Sequence, residues 1–199
     1  MPHNGQVELL TVGHGTLSQD ELVDLLRSAG VERLVDVRTA PGSRRHPHVA
    51  RAQMARWLPG AGIGYCWEPR LGGWRKPDPA SPNTALRDDS FRGYADYMRS
   101  SNFWDALDEV LRGSRENRTT VMCSESLYWR CHRRLVADAV VIGRGANVLH
   151  LGHDGRLTPH RLTDGVRADD GRPVYDIGAP GHLLALYPTD QEGRPARHR

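Results

Sequence analysis

Apolar positions along the chain fall into short continuous runs separated by stretches with helical spacing, and that alternation is the first structural signal. Residues 8–12 form a mostly apolar run ending in Gly13-His14-Gly15, the pattern of a buried strand followed by a tight loop. Ser18-Gln19-Asp20-Glu21 then supplies a capping box, in which the Ser18 hydroxyl accepts from the Glu21 amide and the carboxylate returns to the cap. Leu22, Leu25 and Leu26 recur on one helical face, and Gly30 stops the helix. Residues 31–37 predict a second strand, which completes a right-handed βαβ unit.

The same reading continues with a short helix at 50–58, closed by Pro59 and Gly60, and a third strand at 64–68. A Gly/Pro-rich loop occupies 69–82. Two helices follow at 91–99 and 102–112, the second with Phe103, Leu107, Val110 and Leu111 on its inner side. A fourth strand is predicted at 119–122, a helix at 131–143 and a fifth strand at 147–151. This alternation predicts a three-layer α/β fold: a mostly parallel, open, Rossmann-like sheet of about five strands with helices on both faces. One domain is expected over residues 1–165, followed by a C-terminal appendage at 166–199. Within that appendage 174–187 is expected to pack and the last dozen residues to be disordered.

Composition narrows the setting. A chain of 199 residues is long enough for one real core and short for two. No apolar run is long enough to cross a bilayer, and residues 1–6 lack the features of a secretory leader. Cys66, Cys123 and Cys131 cannot all pair with one another, so reduced thiols and a cytoplasmic location are expected. The net charge of +3 and pI near 9.0 permit phosphate or nucleic-acid binding without demanding it. Lys76 is the only lysine, and such an arginine skew also follows from a GC-rich genome.

In an open parallel sheet, ligands sit beyond the carboxyl ends of the strands. The first strand is followed by His14, the second by Asp36-Val37-Arg38, the third by Glu68-Pro69-Arg70-Leu71-Gly72-Gly73, and the fourth by Cys123-Ser124-Glu125. Each feature alone is commonplace, and their expected convergence on one rim is the signal.

These residues resemble a known family. Gly13-His14, Asp36-Val37-Arg38, Pro41 with Ser43-Arg44, Leu71-Gly72-Gly73, Gly93-Tyr94-Ala95 and Cys123-x-Glu125 followed by Cys131-His132-Arg133 are similar to the domain of unknown function 488 family, over residues 8–151. The resemblance implies a compact α/β domain with a shared polar site and no agreed activity. A DNA-repair label on some members adds a hint of nucleic acid.

Three chemistries are candidates for the rim. Cys123, at a strand end with Arg130 and Arg133 nearby, fits a cysteine-dependent phosphatase or sulfurtransferase, although its interval to Arg130 is one residue longer than a C-x5-R loop and Glu125 would oppose a phosphate. A metal site is not expected. No C-x-x-C or H-x-x-x-H pair is present, and Cys131 and His132 at a helix start would point about 100° apart. The third reading uses the run from Arg38 to Trp67, which has no carboxylate but contains Arg38, Arg44, Arg45, Arg51 and Arg56. With Arg70, Trp74, Arg75 and Lys76 it makes a surface for a nucleotide, a nucleic acid or a small phosphorylated ligand.

The preferred expectation is a domain that binds or acts on a nucleotide or nucleic acid by acid/base chemistry. Asp36, Glu125, Cys123 and His14 are the candidate catalytic residues. Arg38, Ser43, Arg44, Gly72, Gly73, Arg75, Cys131, His132 and Arg133 are the candidate ligand-binding residues. No organic cofactor is implied. The competing expectations are a cysteine-dependent enzyme and a non-catalytic interaction domain in which Arg38 merely pairs with Asp36 or Glu125.

Overall fold

The computed structural model describes residues 7–42 and 44–178. Strand β1 (Glu8–Gly13) leads into helix α1 (Gln19–Ser28), which starts at Ser18 with both hydrogen bonds of the capping box in place. Strand β2 (Arg33–Asp36), helix α2 (Arg51–Gly60) and strand β3 (Gly64–Trp67) follow. Next come helices α3 (Asp89–Tyr97) and α4 (Ser101–Gly113), strand β4 (Thr119–Cys123), helix α5 (Arg133–Arg144) and strand β5 (Asn147–Leu151). The predicted elements are all present, with ends displaced by one or two residues. Helix α5 starts two residues later than expected, because residues 128–130 form a separate 3₁₀ turn and Cys131 is extended (φ −131°, ψ 150°).

The main sheet has six strands in the order β3-β2-β4-β1-β5-β6, parallel from β3 to β5. Its sixth strand, β6 (Leu157–Pro159), is antiparallel to β5 and is an addition to the expected five. Strand β4 stands between β2 and β1, so the order departs from the 3-2-1-4-5 arrangement by exchanging β1 and β4. A hairpin of β7 (Val166–Asp169) and β8 (Arg172–Tyr175) occupies the start of the expected appendage, where no strand was predicted. The hairpin is no loose end, because Tyr175 is fully buried and its hydroxyl donates to Asp138 of α5. Expectations for residues 179–199, disorder among them, lie outside the described residues. Among the described residues, no helix is long and apolar enough to cross a membrane.

Side chains alternate across the sheet and build a core on each face. Leu10, Val12, Leu34 and Met122 pack with α1 and α2, through Leu22, Leu26, Met54 and Leu58. Leu9, Val35 and Val121 pack with α3, α4 and α5, through Tyr94, Phe103, Leu107, Leu135 and Val136. The connection leaving β1 therefore covers one face and that leaving β4 covers the other. Their carboxyl ends lie side by side, with Gly13 opposite Cys123, which makes this the switch point of the sheet.

Candidate active site

Cys123 is the last residue of β4 and points to the same face as Val121, toward α3 and α5. The chain then loops through residues 124–132 before α5 begins. Two contacts hold that loop against β1: the His14 amide donates to the Cys123 carbonyl at 3.0 Å, and the Gly15 amide donates to the Ser124 carbonyl at 2.9 Å. Arg133 secures it from below by donating to the carbonyls of Glu125 and Ser126. Gly13 is required by this approach, since a Cβ there would collide with the Glu125 carbonyl.

The return of the loop carries Cys131 and His132 back beneath Cys123. His132 Nδ1 lies 3.6 Å from Cys131 Sγ and 3.9 Å from Cys123 Sγ, and the three atoms are all within 4.8 Å of one another. The expected 100° divergence of Cys131 and His132 does not arise, because Cys131 precedes the helix and has strand-like dihedrals. Gly73 rests on the imidazole, where a Cβ would come 3.1 Å from Nδ1, and Tyr94 packs with its ring centroid 5.0 Å from that of His132. Above these atoms opens a cleft of about 350 Å³, lined by Gly73, Trp74, Ser90, Phe91, Tyr94, Glu125 and Arg130 along with the thiols.

The electrostatics of the pair are uneven. Cys131 is held well below the ordinary thiol range, first by its hydrogen bond with Cys123 and then by His132 and the Arg133 charge. Cys123 is pushed up, first by the same hydrogen bond and then by burial. Of the two, Cys131 is the one that gives up its proton first. Arg133 is 1% exposed, and its hydrogen-bond partners are carbonyls and the Thr11 hydroxyl; among the described residues it has no carboxylate partner. A guanidinium buried in this way requires a counter-charge.

The other predicted residues lie elsewhere. Asp36 is fully buried on the α2 face, where Arg38 donates to both of its carboxylate oxygens, at 2.8 and 2.6 Å, and Tyr65 adds a hydrogen bond of 2.9 Å. The second Arg38 terminal nitrogen reaches His14 Nε2 at 3.2 Å, and His14 Nδ1 is 2.9 Å from the Gly15 carbonyl. Burial, reinforced by Arg38, lowers the His14 pKa to about 4, so the imidazole is neutral, with its proton on Nδ1. Burial and the nearby Asp36 carboxylate push Tyr65 up. Asp36, Arg38 and His14 therefore form a closed network away from the thiols. Gly72 is packed on Thr39, Arg75 lies over the Tyr97 ring at 4.2 Å, and Arg44 is exposed on the loop after β2. Ser43 lies outside the described residues.

The backbone conformation of Trp74 and one buried network were not read from the sequence. Trp74 is 82% exposed at the cleft rim and has a positive φ of 61°, a conformation that costs energy in a bulky residue. Beneath β1 and β5 runs a buried chain in which His150 joins Thr11 at 2.6 Å and His160 at 2.9 Å, and His160 joins Asp138 at 2.9 Å. His150 is held at about 3, first by burial and then by the His160 and Arg133 charges. Its only signal in the sequence is a histidine amid the apolar residues of a strand.

A family model described as Domain of unknown function DUF488 matches residues 18–140. The chain belongs to the DUF488 family. No curated protein and no solved structure matches it. The part matched by the DUF488 model includes both cysteines of the cluster, His132 and Arg133, and ends before the β5–β6 edge and the hairpin.

Proposed function

We propose that the protein is a cysteine-dependent transferase or hydrolase acting on a small polar electrophile held in the cleft above Cys123 and Cys131. The observation that carries this reading is the pair of converging thiols beside the buried Arg133, whose partners among the described residues are otherwise neutral. A thiolate supplies the counter-charge that the guanidinium lacks, and the thiolate is the nucleophilic form of cysteine. In the transfer step the thiolate sulfur forms a bond to the acyl or phosphoryl centre. The bond to the leaving group breaks with its electron pair, and the leaving group takes the proton of the second thiol. Water or another acceptor then releases the group from sulfur, and the second thiolate takes up the proton set free by the acceptor.

A nucleotide as the substrate is favoured by one observation: the exposed indole of Trp74 stands on the cleft rim with Arg130, pairing a stacking surface with a cation. Asp36, Arg38 and Arg133 are engaged within the protein, so such a ligand would rely on the rim.

Iodoacetamide at pH 7, followed by peptide mass mapping, is the direct test. The Cys123/Cys131 pair is expected to be alkylated at least about tenfold faster than Cys66 in the same molecule. Equal rates would remove the nucleophile from the argument.

A further inference from the structure

We infer that Cys123 Sγ, Cys131 Sγ and His132 Nδ1 form a binding site for a thiophilic divalent cation of the zinc class, with the fourth coordination position facing the cleft. The argument begins with edge lengths. Zinc bonds of ~2.3 Å to sulfur and ~2.05 Å to nitrogen at a tetrahedral angle place the ligand atoms ~3.6 Å apart for S···N and ~3.8 Å for S···S. The two S···N separations here are 3.6 and 3.9 Å, and all three atoms lie within 4.8 Å of one another. Closing the S···S separation from at most 4.8 Å to ~3.8 Å, by side-chain movement at the end of a strand and the start of a helix, would complete the coordination.

Donor chemistry points the same way. Two thiolates and one neutral imidazole select a soft or borderline cation over magnesium or calcium, which take oxygen ligands. Loading displaces the remaining thiol protons to solvent, and two thiolates then neutralise the divalent charge. Three protein ligands with one open position is the arrangement of catalytic zinc sites, whereas structural sites close all four. All three residues line the cleft, and Glu125 and Arg130 line it with them.

Metal binding stands on the geometry alone, but its consequence rests on the nucleophile proposed above: an ion held by both sulfurs removes them from covalent chemistry. Zinc would then act as a reversible block on the thiol site.

The test uses tag-free, metal-free protein titrated with cobalt(II). One equivalent is expected to give thiolate-to-cobalt charge-transfer absorption together with the intense visible bands of a four-coordinate ion, and zinc should abolish both. Cys123→Ala, Cys131→Ser and His132→Gln should each weaken cobalt binding by more than the about tenfold that loss of even an outer-shell partner costs. Cys66→Ala should leave it unchanged. Thermal melting of each metal-free variant separates loss of a ligand from loss of the fold. Absence of these bands in the wild-type protein, or their persistence in folded Cys131→Ser and His132→Gln, overturns the site. Alkylation with and without zinc reads the nucleophile independently. Fast alkylation suppressed by zinc supports the block. Fast alkylation untouched by saturating zinc overturns the block, and slow alkylation of metal-free protein sinks the nucleophile while the cobalt bands still decide the metal.

Discussion

Two clusters of titratable side chains sit at the carboxyl end of the same sheet, on opposite faces, and they differ in how completely they are satisfied. On the α2 face, Asp36, Arg38, His14 and Tyr65 spend their polar atoms on one another and on nearby backbone, and the first three are buried. On the α5 face, Cys123, Cys131 and His132 make long, weak contacts at the floor of a cleft, above a buried guanidinium with no carboxylate partner among the described residues. A closed network specifies the fold, because every charge already has its partner. An open and under-satisfied one retains the capacity to bind something else. Richness in charged residues does not distinguish the two; satisfaction and access do.

The largest effect should come from breaking the closed cluster. Asp36→Asn removes the charge that balances buried Arg38, and a loss of about 3–5 kcal/mol in urea unfolding is expected. Thiol alkylation in whatever fraction stays folded should be unchanged. A loss below about 1 kcal/mol would show that the pair is more exposed and less structural than the comparison requires.

A slightly smaller effect is expected from acid. The His14 pKa is lowered to about 4 from 6.5, so the unfolded chain takes up a proton that the folded protein refuses. Stability from this group is therefore complete above pH 6.5 and declines as pH falls toward 4, by about 3 kcal/mol in total. Urea unfolding at pH 7 and pH 4.5 checks the sign, and His14→Gln should remove roughly half of the difference, because His150 refuses a proton over the same interval. A pH profile that is already flat in the wild-type protein would sink the account of a neutral, buried imidazole. His150, held at about 3, extends the same trend to lower pH.

The smallest effect on stability should come from the open cluster. Cys123→Ala is expected to change unfolding free energy by no more than about 1 kcal/mol, because the side chain is small and partly exposed. Yet it should slow alkylation of Cys131 at pH 7 by about tenfold, since the thiolate loses its hydrogen-bond donor. A large loss of stability with unchanged alkylation would reverse the contrast between the two faces.

Much of the architecture was legible along the chain. The strand preceding Gly13, the Ser18–Glu21 capping box, the inner face of α4 and the strand ending at Cys123 follow from local patterns that the structure repeats. Strand β6 and the β7–β8 hairpin were not legible, because they are short, rich in Pro, Arg, Asp or Gly, and ordered by what they pack against. For the candidate site, the sequence placed His14, Asp36 and Cys123 at strand ends, as the structure does. It could not divide their side chains between the two faces, nor show that Cys131 stops short of the helix and so turns toward Cys123.

The amino-acid sequence by itself determined most of the strands and helices, and that polar side chains gather where the strands end, because hydrophobic period and capping act over a few residues. Only the tertiary structure decided who meets whom. Asp36 pairs in register with Met122 rather than Cys123, and laterally paired residues of a parallel sheet share a face. A shift of one residue in that pairing would have brought the carboxylate to the thiols. Register between strands so distant in sequence depends on how both cores fill, and no local pattern encodes it.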